Sequence, residues 1–123
     1  MTTERLFTVE DANGELAALR ERLPRLREAR AGLVASSERI TAAVASDGGG
    51  VSGTDWFRHQ ETLREEVEYL AERGILLRDP DTGLVDFPAE REGARVFLCW
   101  RLGEEEVGYY HGEHGGFSGR KPL

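Results

Sequence analysis

An apolar seam with alternating spacings of three and four residues opens the chain and dictates most of what it can become. It runs Val9, Ala12, Leu16, Leu19, Leu23, Leu26, then Leu33, Ile40 and Val44. This is the a/d pattern of a long helix packed against another helix. Thr8 precedes the seam as an N-cap, and Glu10 and Asp11 fill the first turn, where the helix dipole favours acids. Asp11 stands where a capping box has Glu or Gln, so the box is approximate. Two seam positions, Arg30 and Ser37, are polar and would set register or partner choice. Pro24 interrupts the seam, and a proline inside a helix removes a hydrogen bond and clashes with the preceding turn. The expectation is a kink there, or two helices over 8–22 and 24–46. Unbroken, the helix would be about 55 Å long at 1.5 Å per residue. That exceeds any partner the same chain can supply, so a second copy, paired through the helices as a homodimer, is expected to complete the cover.

The intramolecular partner follows a Gly-rich linker over 46–53. That linker lacks the Gly-Lys-Ser/Thr ending of a phosphate loop. Thr54 caps a second helix with the seam Trp56, Leu63, Val67 and Leu70, and Gly74 ends it. At about 19 residues it spans roughly 28 Å and should fold back antiparallel. Trp56, Phe57 and Tyr69 then read as core or dimer contacts. After Gly74 the period drops to two. Ile75–Leu77, Leu84–Phe87, Ala94–Leu102 and Val107–His111 read as strands separated by turns at 79–83, 90–93 and 103–105. Pro88 should stop the second strand. The result is an α+β fold, residues 1–123 as a single domain. It has a helical hairpin over 8–73, a four-stranded antiparallel meander over 75–111, and an irregular Gly-rich tail over 112–123.

The balance of charge narrows the partners. With 16 basic and 23 acidic residues the net charge is −7, which disfavours nucleic acid and anionic membranes. The arginines at 20, 22, 25, 27 and 30 form a local basic run that should pair with acids four residues away. Cys99 is the single cysteine, so no internal disulfide can form, as befits a reducing compartment. No apolar run approaches 18 residues, and the first residues lack the basic and apolar regions of a signal peptide. The expected location is the cytoplasm.

Three stretches carry a resemblance. They are Phe7-Thr8-Val9-Glu10-Asp11-Ala12-Asn13, Gly83-Leu84-Val85-Asp86-Phe87-Pro88, and Cys99-Trp100-Arg101-Leu102-Gly103-Glu104 running on through Val107-Gly108-Tyr109-Tyr110-His111 to Gly116-Phe117-Ser118-Gly119-Arg120. Together they resemble an uncharacterised family of short bacterial proteins, domain of unknown function 2203. The resemblance covers nearly the whole chain. It implies a fold and a bacterial origin, and no activity.

The chemistry-bearing residues gather in the last third: Asp86, Cys99, Arg101, Glu104, His111, Glu113, His114 and Arg120. His111 and His114, with Asp86, Cys99 or Glu113, have the ligand types of a divalent metal site. His-x-x-His alone is a weak motif, and the bland alternative is a hydrogen-bonded strand end beside a loop histidine. Arg101 and Arg120 would suit an anion, with tail glycines letting backbone amides approach. Against that, each arginine can pair with Asp86 or Glu104 and lock the tail to the sheet. Cys99 with His111 has the makings of a nucleophile, but a strand as apolar as Val96–Trp100 favours a buried, inert thiol. The leading functional expectation is a non-enzymatic interaction or regulatory module. Asp86, Arg101, Glu104 and Arg120 would contact a protein partner or small ligand. The alternative is a metal-binding protein or metal-dependent hydrolytic enzyme using His111 and His114.

Overall fold

The computed structural model describes residues 4–47 and 54–123. Two helices, α1 (Val9–Asp47) and α2 (Thr54–Arg73), precede an antiparallel sheet. The strands are β1 (Leu76–Asp79), β2 (Leu84–Arg91), β3 (Ala94–Arg101), β4 (Tyr109–His111) and β5 (Lys121–Pro122), hydrogen-bonded in chain order. The sheet therefore has five strands, not four. The tail is not irregular throughout: a 3₁₀ turn over Phe117–Gly119 delivers β5 alongside Tyr109 and Tyr110 of β4. The Gly run at 48–53 and the expected Thr54 cap lie outside the described residues and side chains.

Helix α1 starts where its sequence says it should. The Asp11 N–H donates to Thr8 Oγ1 (2.9 Å), and the Thr8 N–H donates to Asp11 Oδ2 (3.1 Å). Asp thus completes a reciprocal capping box, and hydrogen bonding from Thr8, its backbone N–H first and then its side chain, holds the Asp11 carboxyl below its usual range. The helix is one element rather than two, with Pro24 inside it. Leu23 and Leu26, on either side of the proline, are both buried in the core. Breaking the helix would expose them, and burying two leucines is worth about 3–6 kcal/mol, as much as a proline costs. Past Leu26 the seam departs from the expected one: Ala29 and Ser36 are buried, whereas Arg30 and Ser37 are exposed.

The core lies between the first half of α1 and one face of the sheet. Ala12, Leu16, Leu19, Leu23 and Leu26 meet Val85, Phe87, Ala89, Val96, Leu98 and Trp100, with Leu70 of α2 at the flank. The lead-in joins them: Phe7 is buried edge-on against Phe87, ring centroids 5.1 Å apart, and its N–H donates to the Pro88 carbonyl (2.7 Å). Pro88 does not stop β2. The β1 pairing reaches only to Asp86, so at Pro88 the missing N–H falls on the side of β2 where no strand pairs and only the lead-in at Phe7 approaches.

The basic run on α1 ties the layers together across the fold, not along the helix. Arg22 Nη1 donates to both oxygens of Glu66 (3.2 Å each), and Arg25 approaches the same carboxylate (3.7 Å). Glu66, a polar residue on the α2 seam, is only 2% exposed. Arg20 donates to the Glu105 carbonyl (2.6 Å), Arg27 to the Asp81 carbonyl (3.3 Å) and Arg30 to the Asp81 carboxylate (2.8 Å). Farther along the hairpin, Gly32 lets α2 come close: a Cβ there would lie 2.5 Å from the His59 ring.

The β1–β2 turn has little tolerance for change. Asp79 accepts the Asp81 N–H and the Thr82 hydroxyl, and Gly83 follows at φ 72°. A Cβ on Gly83 would lie 2.7 Å from Leu102 Cβ. Gly83→Ala is therefore expected to cost about 2 kcal/mol, combining left-handed strain with overpacking. Urea denaturation checks it, and an unchanged midpoint would be the contrary result.

Candidate functional site

Strand register gathers the polar residues of the last third on the sheet face turned away from the helices. Directly paired residues share a face, and here Asp86 pairs with Cys99, Cys99 with Tyr109, and Phe97 with His111. Alternation sends Val85, Phe87, Leu98 and Trp100 to the core and leaves Asp86, Phe97, Cys99 and His111 behind them. The tail then crosses this back face as a roof. Between roof and sheet lies a cleft of about 260 Å³, lined by Arg78, Asp86, His111, Glu113, His114 and Phe117 among others.

The centre of the cluster is a buried hydrogen-bonded pair. Asp86 is 2% exposed and His111 4%. His111 Nε2 lies 2.9 Å from Asp86 Oδ2, and its Nδ1 lies 2.7 Å from the Gly112 carbonyl oxygen. Both ring nitrogens therefore have an oxygen partner, Nε2 the Asp86 carboxylate and Nδ1 the Gly112 carbonyl. Arg78 Nε donates to the same Oδ2 (2.8 Å). Asp86 Oδ1 is buried with no hydrogen-bond partner. The Phe97 ring packs beside His111 (5.4 Å) and under the guanidinium groups of Arg78 (5.1 Å) and Arg95 (4.6 Å).

Cys99 completes the group: its sulfur, one carboxylate oxygen of Asp86 and one ring nitrogen of His111 lie within 4.8 Å of one another. Burial, and then the Asp86 charge, push the thiol up to about 11 despite the pull of Arg120. The thiol is neutral near pH 7, and His111 has no free nitrogen with which to deprotonate it. His111 and His114 line the same cleft, while the buried three-residue group consists of Asp86, Cys99 and His111. His114 is exposed on the roof, and Glu113 there pairs with Arg95 (3.1 Å).

Glu104 organises the second half of the site. Its carboxylate accepts the Arg101 N–H (2.7 Å) and both arms of the Arg120 guanidinium (3.0 and 2.8 Å). Its carbonyl accepts the Trp100 indole N–H (3.0 Å). Arg120 lies over the Tyr109 and Phe117 rings, and Arg101 reaches Phe117 from the other strand. Arg120 thus locks the tail to the sheet. Burial raises the Glu104 carboxyl, but the Arg120 and Arg101 hydrogen bonds and charges bring it net below its ordinary value. A lowered folded value means that the lock is complete above the ordinary carboxylate pKa and fails only as pH falls through the lowered one. The Leu123 N–H, bonded to the Gly108 carbonyl (2.9 Å), reports it. Its hydrogen-exchange protection is expected to hold from neutral pH to below 4.5 and then collapse, whereas Glu104→Gln should lower it throughout. Loss of protection well above that point would contradict the lock.

Arg78 and Glu66 are the residues that sequence reasoning missed. Arg78 sits at a register shift in β1 between Leu77 and Asp79, so simple alternation does not place it opposite Asp86. Glu66 falls three residues after Leu63 and four before Leu70, and that helical spacing was the available signal.

Comparison with functionally described proteins finds no match, and neither does comparison with solved structures. The model of one family, described as an uncharacterized conserved protein, DUF2203, matches residues 5–123. The chain belongs to that family, domain of unknown function 2203.

Proposed function

We propose that the protein is a non-enzymatic interaction module of the bacterial cytoplasm, working as a homodimer joined through its helices and using the roofed back face to contact a partner or small ligand. The observation that carries this reading is the far half of the hairpin. The core cluster ends on α1 at Leu26, although the helix continues to Asp47. At 39 residues it is about 58 Å long, against about 30 Å for α2. On this stretch Phe57 is 67% exposed and Val34 55%. Large apolar side chains left in water at one level of a helix pair are what a self-associating surface presents.

The back face supports binding over catalysis. His111 has both nitrogens engaged, Cys99 is held as the thiol, and Arg120 is committed to Glu104. Groups that acid–base or nucleophilic chemistry needs free are bound to one another. The lone reduced cysteine fits a cytoplasmic setting, and no described helix is long and apolar enough to cross a membrane.

Phe57→Glu tests the dimer. The expected result is conversion to monomer in light scattering at micromolar concentration, with helical circular dichroism unchanged. A variant that keeps the mass of the parent chain would remove this surface from the interface.

A further inference from the structure

We infer that Asp86, Cys99 and His111 form a binding site for a single zinc-type divalent ion beneath the tail, a site independent of whether the chain dimerises. Three ligand types converge here from three strands, all buried, with donor atoms within 4.8 Å of one another. A tetrahedral zinc site with one sulfur needs ligand-to-ligand distances of about 3.3–3.5 Å, given bonds of about 2.0 Å to nitrogen and oxygen and 2.3 Å to sulfur. Side-chain rotations of about an ångström close that gap.

A second observation points to the same place. Asp86 Oδ1 is the buried side-chain oxygen without a hydrogen-bond partner among the described residues, and a buried carboxylate oxygen left unpaired is costly. Its twin, Oδ2, is held by Arg78 (2.8 Å). One oxygen is therefore oriented by an outer residue while the other has its lone pairs available. Ligating carboxylates in metal sites are supported in this way, and ligating imidazoles donate their far N–H to a carbonyl. His111 Nδ1 faces the Gly112 carbonyl at 2.7 Å, which leaves Nε2 as the ligand atom.

The balance is simple. The ion takes the place of the proton on the Cys99 sulfur and of any proton held between His111 Nε2 and Asp86 Oδ2, and these protons leave to solvent as it binds. Thiolate, imidazole and carboxylate together select a borderline ion such as zinc over magnesium or calcium. Asp86 and His111 both line the cleft, and His114 lies on its roof.

The test uses the full, untagged chain after chelator treatment, with cobalt(II) as the coloured substitute for zinc. The expected result is one ion per chain, a thiolate-to-cobalt charge-transfer band, and displacement of cobalt by zinc. Cys99→Ser should abolish that band. Arg78→Ala, a change at a partly exposed side chain that leaves all three ligands in place, should weaken affinity about 10- to 100-fold, and it decides the matter if Cys99→Ser fails to fold. His114→Ala should keep the band. Absence of stoichiometric binding would overturn the site. So would cobalt bound without a thiolate band, or binding lost in His114→Ala, either of which would place the ion on the tail surface.

Discussion

His111→Ala is expected to lower the stability of the protein by about 3 kcal/mol. Removing the ring strands Asp86, which is 2% exposed and keeps only Arg78 as a partner. Truncating one member of a buried pair costs about 3–5 kcal/mol, because the remaining charge stays out of water. Arg78 is half in solvent and softens the loss, so the low end applies. For a chain of 123 residues this lowers the melting temperature by about 10 °C. Asp86→Asn in the same background should recover part of the loss, since it removes the stranded charge. Thermal and urea unfolding of the three variants check both statements. An unchanged melting temperature in His111→Ala would mean that the pair contributes nothing to the fold.

Arg22→Ala should cost about as much, and Glu66→Leu very little. The asymmetry comes from where each partner sits. Glu66 is buried between the helices, while Arg22 and Arg25 reach it from partly exposed positions. Deleting Arg22 leaves a carboxylate in the interior with only Arg25 at 3.7 Å, and also removes the guanidinium stacked 3.7 Å from the Tyr69 ring centre. That predicts a loss of about 3 kcal/mol. Deleting the carboxylate instead lets both arginines return to water, and a leucine of similar size fills the space next to Leu63 and Leu70. Replacing a buried ion pair by well-packed apolar groups is commonly neutral. Equal losses from the two substitutions, measured by urea denaturation, would contradict this picture.

The helical hairpin and the antiparallel sheet were both legible in the sequence, because each rests on a period: three-and-four spacing to Leu26, then alternation from Ile75 onward. The failures share a cause, which is that pairing partners far along the chain override a local rule. Pro24 argued for a kink or two helices, and the helix is one element, with Leu23 and Leu26 both held in the core. Pro88 argued for a strand end, but its missing N–H lies on the side of β2 that no strand pairs, where only the Phe7 lead-in approaches. Strand β5 is two residues long and includes Pro122. It has no pattern of its own and exists because Tyr109 and Tyr110 offer an edge.

The site was half legible for the same reason. Asp86, Cys99 and His111 stood out as residue types, but their grouping depends on the register of β2, β3 and β4. His114, three residues from His111, lines the same cleft from the exposed roof, where the chain turns after Gly112. The stretch from Phe7 to Asn13 shows how much a generic-looking helix start can hold. Phe7 fills the core, Thr8 and Asp11 close the capping box, and Asn13 Oδ1 accepts the Val107 N–H (2.7 Å) that positions the loop before β4.

Self-association through the hairpin is the claim on which the functional proposal stands, and sedimentation equilibrium of the untagged chain across the micromolar range tests it most directly. The expected mass is twice the 13.7 kDa of one chain, with an unfolding midpoint that rises with protein concentration. A mass of one chain at every concentration, with the helices intact, would contradict it.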